Sequence, residues 1–232
     1  DGFVSRTVRG VLPLGPGVPV ELDGGDLEVI LSPVPTHPPL VGTLTAAGRH
    51  FLLNGRRFHW RGVTAFRLLE LLATERASEC DAYLDWCAEQ RVSPRVLAMA
   101  AHLFPLHPEQ GRSHLLTLLA HARARGVCVE VVALADTRSY PTLTIEPHVT
   151  EIGALCAAAG NACLELGNEV LPIHGTQSDR LTPDYLVSLA RLVPASVPVS
   201  LGSTHGGAEE DPTLARLARQ FPNGYATAHD TR

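Results

Sequence analysis

Asn161-Ala162-Cys163-Leu164-Glu165-Leu166-Gly167-Asn168-Glu169-Val170-Leu171-Pro172 begins as an apolar run and closes on an amide and a carboxylic acid side by side. Ala162, Cys163, Leu164 and Leu166 have the look of a short strand buried on both faces, the kind that parallel sheets contain. Parallel α/β barrels present their reactive groups at the C-terminal ends of such strands. An amide such as Asn168 can hold a sugar hydroxyl, and a carboxyl such as Glu169 can give or take a proton, as in glycoside cleavage. Asn-Glu after a strand is also what an ordinary solvated turn looks like, since Asn favours turns. The rest of the chain has to decide between these readings.

Downstream of residue 47 the chain alternates strand and helix. Arg49 to Phe58 is an apolar run, an Asn54-Gly55 turn and a second run, the pattern of a tight β-hairpin. His59–Phe66 then reads as a first core strand, Arg95–Ala101 as a second, Val127–Ala135 as a third and the opening stretch as the fourth. Val197–Gly202 and Tyr225–Ala228 read as the fifth and sixth. Helical spacing is predicted over Glu75–Gln90, Ser113–Arg125 and Glu146–Ala159, over a segment from Thr182 to about Leu192, and over Pro212–Gln220. Thr182-Pro183 supplies an N-cap and a proline at the first helical position.

Units recurring at roughly 30 residues mark a parallel α/β architecture, either an open doubly wound sheet or a (β/α)8 barrel. No GxGxxG or GxxxxGK[ST] loop follows the first strand, which weakens the nucleotide-binding sheet. Instead, polar residues recur where strands end: Arg67, His102, Asp136, Asn168-Glu169, His205 and His229-Asp230. A barrel gathers those ends on one face. The expected fold is therefore an incomplete TIM barrel over residues 47–232, with about six of eight βα units. Residues 1–46, with the turn Asp23-Gly24-Gly25-Asp26 and the proline-rich run 32–39, read as a β-rich appendage and linker.

Composition narrows the partners. With 232 residues, 45% hydrophobic and 19% charged, the chain can bury a sizeable core. A net charge of −5 gives no footprint for nucleic acid, and no apolar run approaches the ~18 residues of a membrane span. The five cysteines sit in apolar periodic segments and read as small buried hydrophobes, not as disulfides or metal ligands. The histidines form no HExxH and no tight cluster, so neither metal nor cofactor is expected. Ser203 lacks a G-x-S-x-G elbow, which argues against a serine hydrolase. Trp86 is expected in core packing and Trp60 under the hairpin. The compartment stays open.

Phe51-Leu52-Leu53-Asn54-Gly55-Arg56-Arg57-Phe58 running into Trp60-Arg61-Gly62-Val63 resembles the start of the barrel in family 5-like glycoside hydrolases, cellulase-like enzymes of the (β/α)8 clan. Arg95-Val96 is similar to the clan's strand-two arginine, which supports the catalytic carboxylate. Gly167-Asn168-Glu169 is similar to its strand-four Asn-Glu acid/base motif, and His229 falls where a His or Tyr stands near the nucleophile. The resemblance covers about residues 48–232. It implies a glycosidase acting on an oligo- or polysaccharide, with Glu169 as general acid/base. Asn168, Arg95, His229, His205, His102 and Asp136 are the candidate substrate-binding residues.

The chain departs from the clan in one respect. The clan's nucleophile, a second Glu, ends strand seven, and two carboxyls about 5–5.5 Å apart are needed for retention, or about 6.5–9.5 Å for inversion. Asp136, Glu209, Glu210 and Asp230 are poor substitutes without a motif. Six strands also leave a barrel with open edges, so the expectation is that a further segment, or another chain, completes it. A non-catalytic barrel used for carbohydrate binding or as a structural component is the alternative.

Overall fold

The computed structural model describes residues 37–48, 50–169, 177–202 and 213–227. These belong to one compact unit, Pro35–Arg232. The expected strands and linker of residues 1–36 lie outside the described residues.

The first layer is a small antiparallel sheet, β1 (Leu44–Ala47), β2 (His50–Leu53) and β3 (Arg56–Phe58), in the order β1-β2-β3. Asn54 and Gly55 both take positive φ, 52° and 72°, as a two-residue turn matched to strand twist requires. The hairpin stands as expected. β1 is an addition, too short and too interrupted by glycine on either side to announce itself.

The second layer is a five-stranded parallel sheet of β4 (Gly62–Thr64), β5 (Ser93–Leu97), β6 (Val129–Leu134), β7 (Ala162–Gly167) and β8 (Val199–Ser200), in the order β4-β5-β6-β7-β8. β5 to β8 are buried throughout, whereas Gly62 and Thr64 of β4 are exposed, as at an edge. The sixth strand is reduced to a parallel bridge between Val199 and Gly224, with Tyr225 donating its N–H to the Val199 carbonyl at 3.0 Å. Its expected course over Tyr225–Ala228 thus begins one residue early, and Ala228 lies outside the described residues.

Among the described residues the helices are α1 (Leu68–Ala73), α2 (Ala77–Gln90), α3 (Pro108–Ala124), α4 (Ile145–Ala159), α5 (Pro183–Ala190) and α6 (Thr213–Ala218). α1 was hidden in the sequence, since Leu68-Leu69-Glu70-Leu71-Leu72 lacks a polar stripe. Consecutive helices are laced to one another. Arg125 at the C-terminal end of α3 pairs with Asp85 of α2 at 2.7 Å, Arg112 of α3 with Glu151 of α4 at 2.9 Å, and Tyr185 of α5 donates to Glu146 of α4 at 2.6 Å. Neighbouring helices in chain order therefore share one side of the sheet. A strand order without reversal plus a single helix layer is the winding of a (β/α)8 barrel and not of a doubly wound sheet. The fold is an incomplete barrel.

Residues of one strand face, such as Val96, Val131 and Leu164, join Leu84, Leu115, Leu118, Ile152 and Leu186 of the helices in the main core. α3 approaches the sheet so closely that a Cβ on Gly111 would stand 1.6 Å from the Ala98 carbonyl oxygen. The small sheet closes the end where the parallel strands begin: Leu44 N–H donates to Gly160 O, and Leu40 N–H to Arg123 O, each at 2.8 Å. Leu40, Leu44, Cys128 and Cys163 form its core with Phe51, Phe58, Trp60 and Tyr225 around them. Trp60 stacks on Phe51 at 5.0 Å between centroids, as a residue under the hairpin should. Trp86 corrects the expectation of core packing. It is 42% exposed on α2, against the Tyr83 ring at 5.4 Å, because its helical position faces away from β5.

Candidate active site

All six residues of β7 are buried, and the next two, Asn168 and Glu169, are half-exposed. Asn168 extends the β6–β7 ladder by one step, its N–H donating to the Leu134 carbonyl at 2.9 Å. Glu169 then leaves the strand in left-handed backbone, φ 50°. Asp136, two residues past β6, has the same φ of 50°. Both carboxylates thus sit where a strand stops abruptly and the chain turns.

Beneath Asn168 lies a buried ionic group supplied by three neighbouring strands. Arg95 of β5 donates from Nε and Nη2 to Glu165 Oε2 of β7, at 2.9 and 2.7 Å, and from Nη2 to Asn168 Oδ1 at 3.1 Å. Glu130 of β6 stands 3.6 Å from Arg95 Nε and accepts from the Tyr225 hydroxyl at 2.9 Å. Burial pushes the Glu130 carboxyl up from its ordinary value, with Arg95 and the Tyr225 hydrogen bond opposing. Burial likewise holds the Tyr225 phenol and the Cys163 thiol well above their usual ranges. One cation serving two enclosed carboxylates concentrates its hydrogen bonds on Glu165 and Asn168. Arg95 itself is 7% exposed, so it reaches the strand-end surface through Asn168 and not directly.

Gln177, 3% exposed, ties the ends of β6 and β7. Its Nε2 donates to the carbonyls of Asn168 (2.6 Å) and Leu134 (3.1 Å), and its Oε1 accepts from Thr137 Oγ1 at 2.8 Å. Across the β6 end, Asp136 Oδ2 accepts the backbone N–H groups of Ala101 and His102, at 2.7 and 2.9 Å. Its Oδ1 lies 3.2 Å from His102 Nδ1, with the imidazole 57% exposed. An imidazole backed by a fixed carboxylate has one ring nitrogen held and the other left to meet a ligand.

The structure therefore joins Arg95 to Asn168 and His102 to Asp136. His205, His229, Glu209, Glu210 and Asp230 lie outside the described residues. Glu165, Glu130, Tyr225 and Gln177 were missed. The first two had a signal, a single charge interrupting an apolar strand. Gln177 had none. A separate cleft of about 310 Å³ opens between the starts of α3 and α4, lined by His107, Arg112, Tyr140, His148 and Glu151 among others. Among the described residues no three His, Cys, Asp or Glu side chains gather to hold a metal ion, and no helix is long and apolar enough to cross a membrane. The five cysteines are buried and unbridged, with Cys80, Cys87, Cys128 and Cys156 pushed up to about 12 by burial.

No protein-family model matches the chain, and no curated protein matches it. Among solved structures it is similar to a glycoside hydrolase family 5 protein from Bacteroides vulgatus ATCC 8482, with 16% identity, 70% of this chain and 40% of that chain covered, and a TM-score of 0.48. It is similar also to a glycoside hydrolase (14%, covering 71% and 42%, TM-score 0.47) and to the β-mannanase from Thermomonospora fusca (12%, covering 80% and 83%, TM-score 0.41). The chain spans about two fifths of the length of the first two. At such values the barrel assignment rests on strand order and helix layering, not on these likenesses.

Proposed function

We propose that the chain is a glycoside hydrolase-like domain acting on β-linked oligo- or polysaccharides, with Glu169 as general acid/base. The observation that supports it is the position of Asn168-Glu169 at the C-terminal end of the fourth parallel strand, with Asn168 held from β5, from β6 and by Gln177. In this reading Glu169 gives its proton to the glycosidic oxygen as the C1–O bond breaks and that bond's electrons pass to oxygen. It afterwards takes a proton from the water that attacks C1. Asn168 holds a sugar hydroxyl, and His102, backed by Asp136, is a further contact; His205 and His229 are assigned the same work. Arg95 contributes by fixing Asn168. The carboxylate that attacks C1 is assigned to a seventh strand beyond residue 232.

Glu169→Gln in the full-length protein is expected to lower turnover of a β-linked glycoside by roughly 10²-fold or more while sparing binding. Unchanged turnover would remove Glu169 from the mechanism. A second reading, a non-catalytic barrel that binds carbohydrate or serves as a structural component, is favoured by the commitment of Arg95 to Glu165 in place of a reacting carboxylate. A Glu within roughly 30–80 residues after His229, at ordinary barrel spacing, separates the two readings in favour of the enzyme.

A further inference from the structure

Glu169 is neither glycine nor asparagine, yet its φ is 50°. Such a conformation is disfavoured by contact between Cβ and the backbone, and it persists where the surroundings over-determine it. The peptide that joins Asn168 to Glu169 sets that φ, and its carbonyl is held by Gln177 Nε2 at 2.6 Å. The preceding peptide is held by the Asn168 N–H on the Leu134 carbonyl at 2.9 Å. Gln177 is fixed in turn: its Nε2 also donates to the Leu134 carbonyl, at 3.1 Å, and Thr137 Oγ1 donates to its Oε1 at 2.8 Å. The Ser178 N–H donates to the same Thr137 hydroxyl at 2.7 Å. A side chain 3% exposed, with both ends of its carboxamide used, is a poor candidate for touching substrate and a good one for fixing a peptide plane.

We infer that Gln177 is a positioning residue for Glu169, locking the 168–169 peptide so that the carboxyl meets the glycosidic oxygen of a β-linked glycan in proton-transfer geometry. The inference rests on the acid/base role proposed for Glu169. Gln177 acts through the backbone and touches neither the sugar nor the transferred proton. Arg95 fixes the Asn168 side chain, and Gln177 fixes the main chain that follows it. Misplacing a proton donor by about 1 Å costs up to roughly 10² in rate, and only for leaving groups that need the proton.

That dependence supplies the test. The full-length protein and its Gln177→Leu, Gln177→Glu and Glu169→Gln variants are compared on phenyl and 2,4-dinitrophenyl β-glycosides, reading kcat/KM, which reports the first bond cleavage. Dinitrophenolate departs without protonation, whereas phenolate leaves poorly without it. Both Gln177 variants are expected to lose roughly 10- to 100-fold on the phenyl glycoside and to stay within about 3-fold on the dinitrophenyl one. Gln177→Glu keeps an acceptor but, once ionised, loses the donor, so at a pH high enough to ionise that buried carboxyl it should behave like Gln177→Leu. Parallel losses on both substrates, or no loss on either, overturn the inference. A leaving-group split in Glu169→Gln with none in the Gln177 variants overturns the inference alone. No split in Glu169→Gln, or a wild type without turnover, overturns the proposed function with it. Should the Gln177 variants fail to fold, Thr137→Val, which removes the hydroxyl that orients the carboxamide, must show the same split at about 3- to 10-fold.

Discussion

The two ends of the parallel strands are built on opposite principles. Where the strands begin, the β1–β3 sheet seals the barrel with Leu40, Leu44, Phe51, Phe58 and Trp60, and two enclosed thiols complete the seal. Where they stop, polar groups replace apolar ones, two carboxylates sit in left-handed backbone, Gln177 and Asp136 satisfy main-chain groups that a strand would otherwise have paired, and Arg95 holds the Asn168 side chain. The first end gains its stability from burial, which is indifferent to direction. The second depends on hydrogen bonds of fixed direction, and direction is what positions a proton donor. Between them the ionic group of Arg95, Glu130 and Glu165 marks the level at which one regime gives way to the other.

The largest effect should come from that boundary. Arg95→Met leaves Glu165 enclosed without its cation and should cost about 3–5 kcal/mol in denaturant unfolding. Pairing it with Glu165→Leu should recover part of that loss, as replacing a whole buried pair usually does. A loss under 1 kcal/mol in the single variant would mean that water reaches the Glu165 carboxylate.

At the sealed end, Leu44→Ala should cost about 3 kcal/mol, since Leu44 is 1% exposed and its truncation would leave a cavity. The carbohydrate binding proposed for the other end should be unchanged at temperatures where the variant is folded. A matching loss of binding would break the division between the ends.

Acid should act on the open end first. His148 of α4 accepts at Nδ1 a hydrogen bond from Arg112 Nη1 at 2.7 Å and donates from Nε2 to the Ala133 carbonyl at 3.0 Å, and burial pushes its imidazole down from 6.5 to about 4. A depressed base means that the unfolded chain binds the extra proton. Its contribution is therefore present above pH 6.5 and is lost as pH falls through about 4. The loss should be on the order of 2–3 kcal/mol, measured as unfolding free energy against pH. His148→Gln should flatten that slope; an unaltered slope contradicts the assignment.

The smallest change is Thr137→Val, which removes the hydroxyl that donates to Gln177 Oε1 and accepts from the Ser178 N–H, and should cost about 1–2 kcal/mol. Hydrogen exchange should quicken at Asn168 and leave β1–β3 untouched.

The sealed end and the barrel winding were legible because they rest on patterns. Asn54-Gly55 names its own turn, and apolar runs of six residues separated by helical periods of about fifteen name parallel strands. Asn168-Glu169 could be placed at a strand end for the same reason. The frame around it was less visible. Arg95, Glu130 and Glu165 each interrupt an apolar strand, and three such interruptions on adjacent strands with one cation among them form a readable signal. Gln177 could not be found this way, because its partners are carbonyls, which every residue carries. Trp86 misled because an aromatic at helical spacing looks the same on the inner and outer faces until the helix's neighbours are known.

Crystals of the full-length Glu169→Gln protein soaked with a β-linked oligosaccharide test the central claim most directly. The sugar should lie across the C-terminal ends of β5 to β7, with the amide of residue 169 within about 2.6–3.2 Å of a glycosidic oxygen and Asn168 on a hydroxyl of the adjoining sugar. A glycan bound elsewhere, or one whose linkage oxygen stays out of reach of that residue, would contradict it.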